Sequence, residues 1–110
     1  MVDELISLQK TYPTGYYRKM VEACIKGMIE EPVLDKLQQI AIPTMIFFGE
    51  NDGLIPNKIL HRGTTRAVAE FGKQQMPNAS MKMIPGCGHF VQWEKAHLIN
   101  EGIHEFLPTA

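Results

Sequence analysis

The sequence predicts an α/β fold, with a helical segment over residues 1–42 and a parallel β-α-β-α unit over 43–110. Three observations carry this reading. Tyr17, Met20, Val21, Cys24, Ile25, Met28 and Ile29 recur at spacings of three and four, the period of one helix face. Residues 45–48, Met-Ile-Phe-Phe, form an apolar run without alternation that stops at Gly49. Such a run fits a strand buried on both faces of a parallel sheet. A second short strand pattern, residues 80–84, follows a helical stretch, which is the order of a right-handed β-α-β crossover.

In chain order, residues 2–10 read as a short helix with Val2, Leu5 and Ile6 on one face, broken at Tyr12-Pro13-Thr14-Gly15. The periodic helix follows and ends at Glu30-Glu31-Pro32, with an apolar stripe wide enough to need a substantial packing partner. Residues 33–39 suggest one or two further turns with Leu34 and Leu37 facing inward, and Ile40-Ala41-Ile42-Pro43 leads into the first strand. Proline is tolerated at a strand entrance, where no ladder hydrogen bond is needed. Asn57 is a candidate cap for a turn carrying Ile59 and Leu60. After Gly63, Thr64 or Thr65 caps a helix to about Gln75 that is expected to bury Ala67, Val68 and Phe71. Met76-Pro77-Asn78-Ala79 is a turn. The strand after it alternates, with Met81 and Met83 on one face, and Lys82 marks it as a sheet edge. The last helix, residues 93–107, is expected to bury Ala96, Ile99, Ile103 and Phe106 before Pro108 ends it.

The candidate chemistry sits just past the two strands. Asp52 follows the first strand and His89 follows the second, at the carboxyl ends where ligands collect in open α/β sheets. Parallel strands joined by one helix would bring the two side chains together. An aspartate that orients a histidine supplies two parts of a nucleophilic triad, because the carboxylate fixes the imidazole tautomer and stabilises the imidazolium. Asn51-Asp52-Gly53 is also ordinary turn chemistry, and a histidine in a glycine turn is often plain surface. Gly86 and Gly88 favour the functional reading, since they permit a rigid turn that aims the ring. Cys87 beside His89 is a poor nucleophile candidate, because catalytic pairs meet through the fold and not by adjacency. Ser7 and Ser80 lack the Gly-x-Ser-x-Gly setting of a nucleophile elbow. Cys87, His89, His61 and His97 have no zinc-type spacing, so no metal or cofactor is expected. Glu50 and Glu94 read as supports for turns or helix starts, while His97 and His104 read as solvated.

The segments Ile42-Pro43-Thr44 with Phe48-Gly49-Glu50-Asn51-Asp52-Gly53-Leu54-Ile55-Pro56, then Ile84-Pro85-Gly86-Cys87-Gly88-His89, then Glu94 and Ile103-His104-Glu105-Phe106-Leu107, resemble the C-terminal portion of α/β-hydrolase-fold enzymes. The resemblance covers residues 34–107 well and 1–33 loosely. Ala96 stands where that family often has proline. In the family the order is nucleophile, acid, histidine. The resemblance therefore implies a partial α/β-hydrolase fold in which Asp52 is the orienting acid and His89 the general base. It also implies a nucleophile on an N-terminal half outside this chain, and residues 1–42 as the end of a lid with its lead-in helix. The implied activity is esterase-like hydrolysis of a small-molecule substrate bearing an ester or related bond, with this chain inactive alone. The alternative is a catalytically inactive remnant or partner-binding module of the same fold.

Composition sets the remaining bounds. The chain has 110 residues, 45% of them hydrophobic and 21% charged, with a formal net charge of −1. These values suit one small domain and give no footprint for nucleic acid or for an anionic membrane. No apolar run approaches the roughly 20 residues of a membrane span, and the acidic N-terminus is unlike a signal peptide. Two cysteines make no disulfide framework. A cytoplasmic setting is expected, with either the N-terminal half or self-association completing the sheet.

Overall fold

The computed structural model describes residues 2–11, 13–59 and 61–108, and within the first helix the side chains of Val2, Leu5, Leu8 and Gln9 fall outside that description. The apolar face expected at Val2 and Leu5, and the turn position of Leu60, therefore lie outside the described residues. The chain divides into two compact units, Met1–Val33 and Leu34–Ala110.

The first unit consists of α1 (Val2–Thr11) and α2 (Thr14–Glu30). Pro13 enters α2 with φ −55°, a dihedral that its ring enforces, and its carbonyl accepts from the amides of Tyr16 and Tyr17. The apolar face of α2 is largely open, with Met20, Ile25 and Met28 exposed and Val21 half-buried.

The second unit begins with a 3₁₀ helix, Leu34–Gln39, which packs against α3 (Thr65–Gln75). That packing groups residues 34–42 with the strands and not with the two long helices. Leu34 is exposed and Leu37 half-buried. β1 (Thr44–Gly49) pairs in parallel with β2 (Ala79–Ile84), register running from Thr44 opposite Ala79 to Gly49 opposite Ile84. The Thr44 amide donates to Asn78 O at 3.0 Å and starts the ladder. Residues 44–48 are half-buried and only Gly49 is buried. The run reads as a fully buried strand, but among the described residues β1 has one neighbour, and its other edge is unpaired.

Two expectations for the helices are corrected. α3 is capped by Thr64, whose hydroxyl accepts from the Ala67 amide at 3.1 Å, but its buried residues are Thr65 and Ala69. Ala67 is exposed, and so are Val68 and Phe71, because a two-stranded sheet is too narrow to cover the whole apolar face. The last helix is broken into α4 (Val91–Glu94) and α5 (Ala96–Phe106). The backbone leaves helical geometry at Lys95 (φ −137°, ψ 46°). α4 can thus stay with the histidine turn while α5 lays Ile99 and Gly102 against the sheet, Gly102 facing the Phe47 ring. Ala96 and Ile103 are exposed, Phe106 half-buried. The core is Ile84, Cys87 and Ile99, with Phe47, Val91 and Leu98 packed around it.

Candidate active site

Both candidate residues stand at the same end of the sheet because both strands stop there. Gly49 closes β1 where the backbone passes directly over the Cys87 and Gly88 carbonyls, with no room for a Cβ. Past this crossing the two turns are stitched together: the Glu50 amide donates to Ile84 O at 3.0 Å and the Asn51 amide to Cys87 O at 2.9 Å. Gly86 turns the chain out of β2 with φ +60°, a conformation that glycine adopts without Cβ strain. Asp52 and His89 are thereby carried to adjoining positions.

His89 Nδ1 lies 2.8 Å from Asp52 Oδ2. The other carboxylate oxygen, Oδ1, accepts from the amides of Leu54 at 2.8 Å and Ile55 at 3.0 Å. The Asp52 side chain is 2% exposed and that of His89 36%. Burial alone would raise the Asp52 carboxyl. The hydrogen bond from His89, the two amide donors and the nearby imidazole charge outweigh it and hold the group below its ordinary value of 3.8. An ionised carboxylate only accepts, so the shared proton belongs on His89 Nδ1. In the neutral ring this leaves the lone pair on Nε2, the tautomer a general base requires.

The acid turn is locked from behind by Thr65, whose hydroxyl donates to Ile55 O at 2.6 Å. Sequence reasoning saw in Thr64-Thr65 only a choice of cap. The doublet divides the work, one hydroxyl capping α3 and the other buried under the turn. Glu50 pairs with Arg66 at 2.6 Å, and Glu94 accepts from the Gly88 amide at 2.9 Å. His61, His97 and His104 are exposed and not joined to the pair. Cys87 is fully buried, and burial pushes its thiol up from 9.0, with the Glu94 carboxylate adding to the effect and Lys95 opposing it. Among the described residues no cluster of three or more His, Cys, Asp or Glu side chains could hold a metal ion. No described helix is long and apolar enough to cross a membrane.

Two parallel strands with helices, and this pair at their carboxyl ends, are consistent with a partial α/β-hydrolase fold. No family model matches the chain. It is 31% identical over 112 residues to the 2-hydroxy-6-oxononadienedioate/2-hydroxy-6-oxononatrienedioate hydrolase of Burkholderia vietnamiensis (strain G4 / LMG 22486), covering 97% of this chain and 35% of that protein. Against the hydrolase of the same description from Paraburkholderia xenovorans (strain LB400), identity is 35% over 72 residues, 66% of this chain and 22% of that protein. The 2-hydroxy-6-oxo-6-phenylhexa-2,4-dienoate hydrolase of Burkholderia cepacia is 33% identical over 75 residues, 68% of this chain and 23% of that protein. A solved α/β hydrolase from the sediment metagenome of the Mar Chica lagoon, Morocco, superposes with a TM-score of 0.67 at 27% identity, covering 96% of this chain and 42% of the other. The chain belongs to the α/β-hydrolase family and corresponds to a C-terminal part of its members, spanning 22–35% of the length of these curated relatives.

Proposed function

We propose that the chain is the C-terminal catalytic portion of an α/β hydrolase working by nucleophilic catalysis, with Asp52 as the orienting acid and His89 as the general base. The observation that carries this reading is the 2.8 Å bond from a half-exposed imidazole to a buried carboxylate at the carboxyl ends of two parallel strands. His89 Nε2 takes the proton of a nucleophile supplied by a more N-terminal part of the enzyme. Asp52 stabilises the resulting imidazolium, and the proton passes to the leaving group. A water molecule, deprotonated in turn by Nε2, then releases the product from the nucleophile. The step needs no cofactor.

The substrate follows the relatives. Their names describe hydrolases of 2-hydroxy-6-oxo unsaturated acids, and on this reading the complete enzyme hydrolyses an acid of that class. Simple esters are the wider alternative within the same chemistry. The chain alone is inactive, since Ser7 and Ser80 lack the elbow setting and Cys87 is buried with its thiol held protonated. In the same reading α1 and α2 are the end of a lid segment, and the apolar face left open on α2 supports it.

The test joins this chain to the N-terminal portion of the Burkholderia vietnamiensis hydrolase and assays the product with 2-hydroxy-6-oxononadienedioate. Turnover that drops by about 10³-fold or more in His89→Ala is expected, while the unjoined chain shows none. A folded, soluble His89→Ala enzyme with undiminished turnover would overturn the reading.

A further inference from the structure

We propose that Glu94 is a positioning residue for His89, fixing the backbone on both sides of the histidine so that its ring meets Asp52. The functional meaning of this rests on the acid–base reading above. Glu94 reaches both neighbours of His89. Its Oε2 accepts from the Gly88 amide at 2.9 Å, and its own amide donates to Phe90 O at 2.9 Å. The stretch from Gly88 to Glu94 is therefore a closed loop with His89 inside it. The carboxylate lies flat on Gly88: a Cβ there would stand 2.8 Å from Oε1 and 3.3 Å from Oε2. Only glycine lets the side chain approach so closely.

The same loop is also held by the Asn51 amide on Cys87 O and by the backbone of Gly49 against Cys87 and Gly88. Glu94 is thus one of the ties that hold the histidine loop beside the acid turn, and removing it frees that tie. Asp52 is the polar partner of the His89 ring among the described residues, and Phe90 meets it edge-on at 5.3 Å between ring centroids. A hydrogen bond weakens steeply as its geometry departs from linear, so a small shift of the His89 backbone is enough to uncouple the pair.

The experiment is ring-nitrogen NMR on the ¹⁵N-labelled chain joined to the N-terminal portion of the Burkholderia vietnamiensis hydrolase, with the His89 signal assigned by its loss in His89→Ala. The wild-type spectrum is expected to show the Nδ1–H tautomer. In Glu94→Ala the Nδ1–H population falls, and its exchange with water quickens by about 3- to 10-fold, the weight of one ordinary hydrogen bond. Glu94→Gln, whose amide oxygen can still accept from Gly88, restores the wild-type signal. Glu94→Asp, one methylene short, does not. A role confined to stability would lower the melting temperature and leave the tautomer and its exchange unchanged below the melt, and that result would overturn the proposal. Should Glu94→Ala fail to fold, the Gln and Asp variants decide in the same way. A wild-type chain without the Nδ1–H tautomer would instead overturn the acid–base reading, with Asp52→Asn as its reference spectrum.

Discussion

Asp52 accepts three hydrogen bonds on two oxygens while almost fully buried, so its ionised form is favoured by folding. A carboxyl held below its ordinary 3.8 contributes stability above that value, and the contribution is lost as pH falls through the folded-state value. Asp52→Asn keeps an oxygen for the Leu54 and Ile55 amides but loses the charge. It is expected to cost about 1–3 kcal/mol at neutral pH. It should also flatten the fall in stability below pH 4, and urea melts at pH 6 and pH 3 would measure both effects. The Asp52 and His89 positions were legible in the sequence because each follows an apolar strand and sits in a turn. Thr65 was not legible as a buried lock, since a hydroxyl beside a cap looks the same whether it faces water or the turn behind Asp52.

The elements were readable in kind and order, and less so in phase. Hydrophobic periodicity finds a helix, but the packing surface selects which part of a wide stripe is buried. In α3 the buried positions are Thr65, under the Asp52 turn, and Ala69, while Val68 and Phe71 line an open cavity of about 520 Å³ with Ile55 and Pro56. The break at Lys95 was likewise invisible, because nothing local in Glu94-Lys95-Ala96 forbids a helix; the tie from Glu94 to the Gly88 amide accompanies it. The close crossing of β1 over the histidine turn yields a sharper expectation. Gly49→Ala drives a methyl group into the Cys87 and Gly88 carbonyls, which are backbone and cannot rotate away. The variant is expected to lose about 1–3 kcal/mol or more and to separate the two turns. Chemical denaturation, read beside the His89 ring-nitrogen signal, would detect both losses.

At the scale of the whole molecule, the described sheet has two strands, and β1 keeps one edge unpaired with Ile46, Phe47 and Phe48 half-buried. An unpaired apolar edge is a template for association, and completing the burial of such side chains is worth up to roughly 1.5–3 kcal/mol each. That is a large share of a typical net stability of about 5–15 kcal/mol. The isolated chain is therefore expected to self-associate or to pack loosely. Sedimentation velocity at low micromolar concentration, with near-UV circular dichroism, examines this, and a monodisperse monomer with a cooperative melt would contradict it. The substrate was never legible here, because on the proposed reading Asp52 and His89 handle only the proton, while a substrate is selected by the pocket around it. The central claim is that Asp52 holds the His89 tautomer that does the base chemistry. The most direct measurement of it is steady-state turnover of the joined enzyme with and without Asp52→Asn. The expected result is a fall in kcat of about 10³- to 10⁴-fold with KM changed by only a few-fold, because binding is untouched while the imidazole loses its orientation. A folded Asp52→Asn enzyme whose kcat stays within about ten-fold of wild type would contradict it.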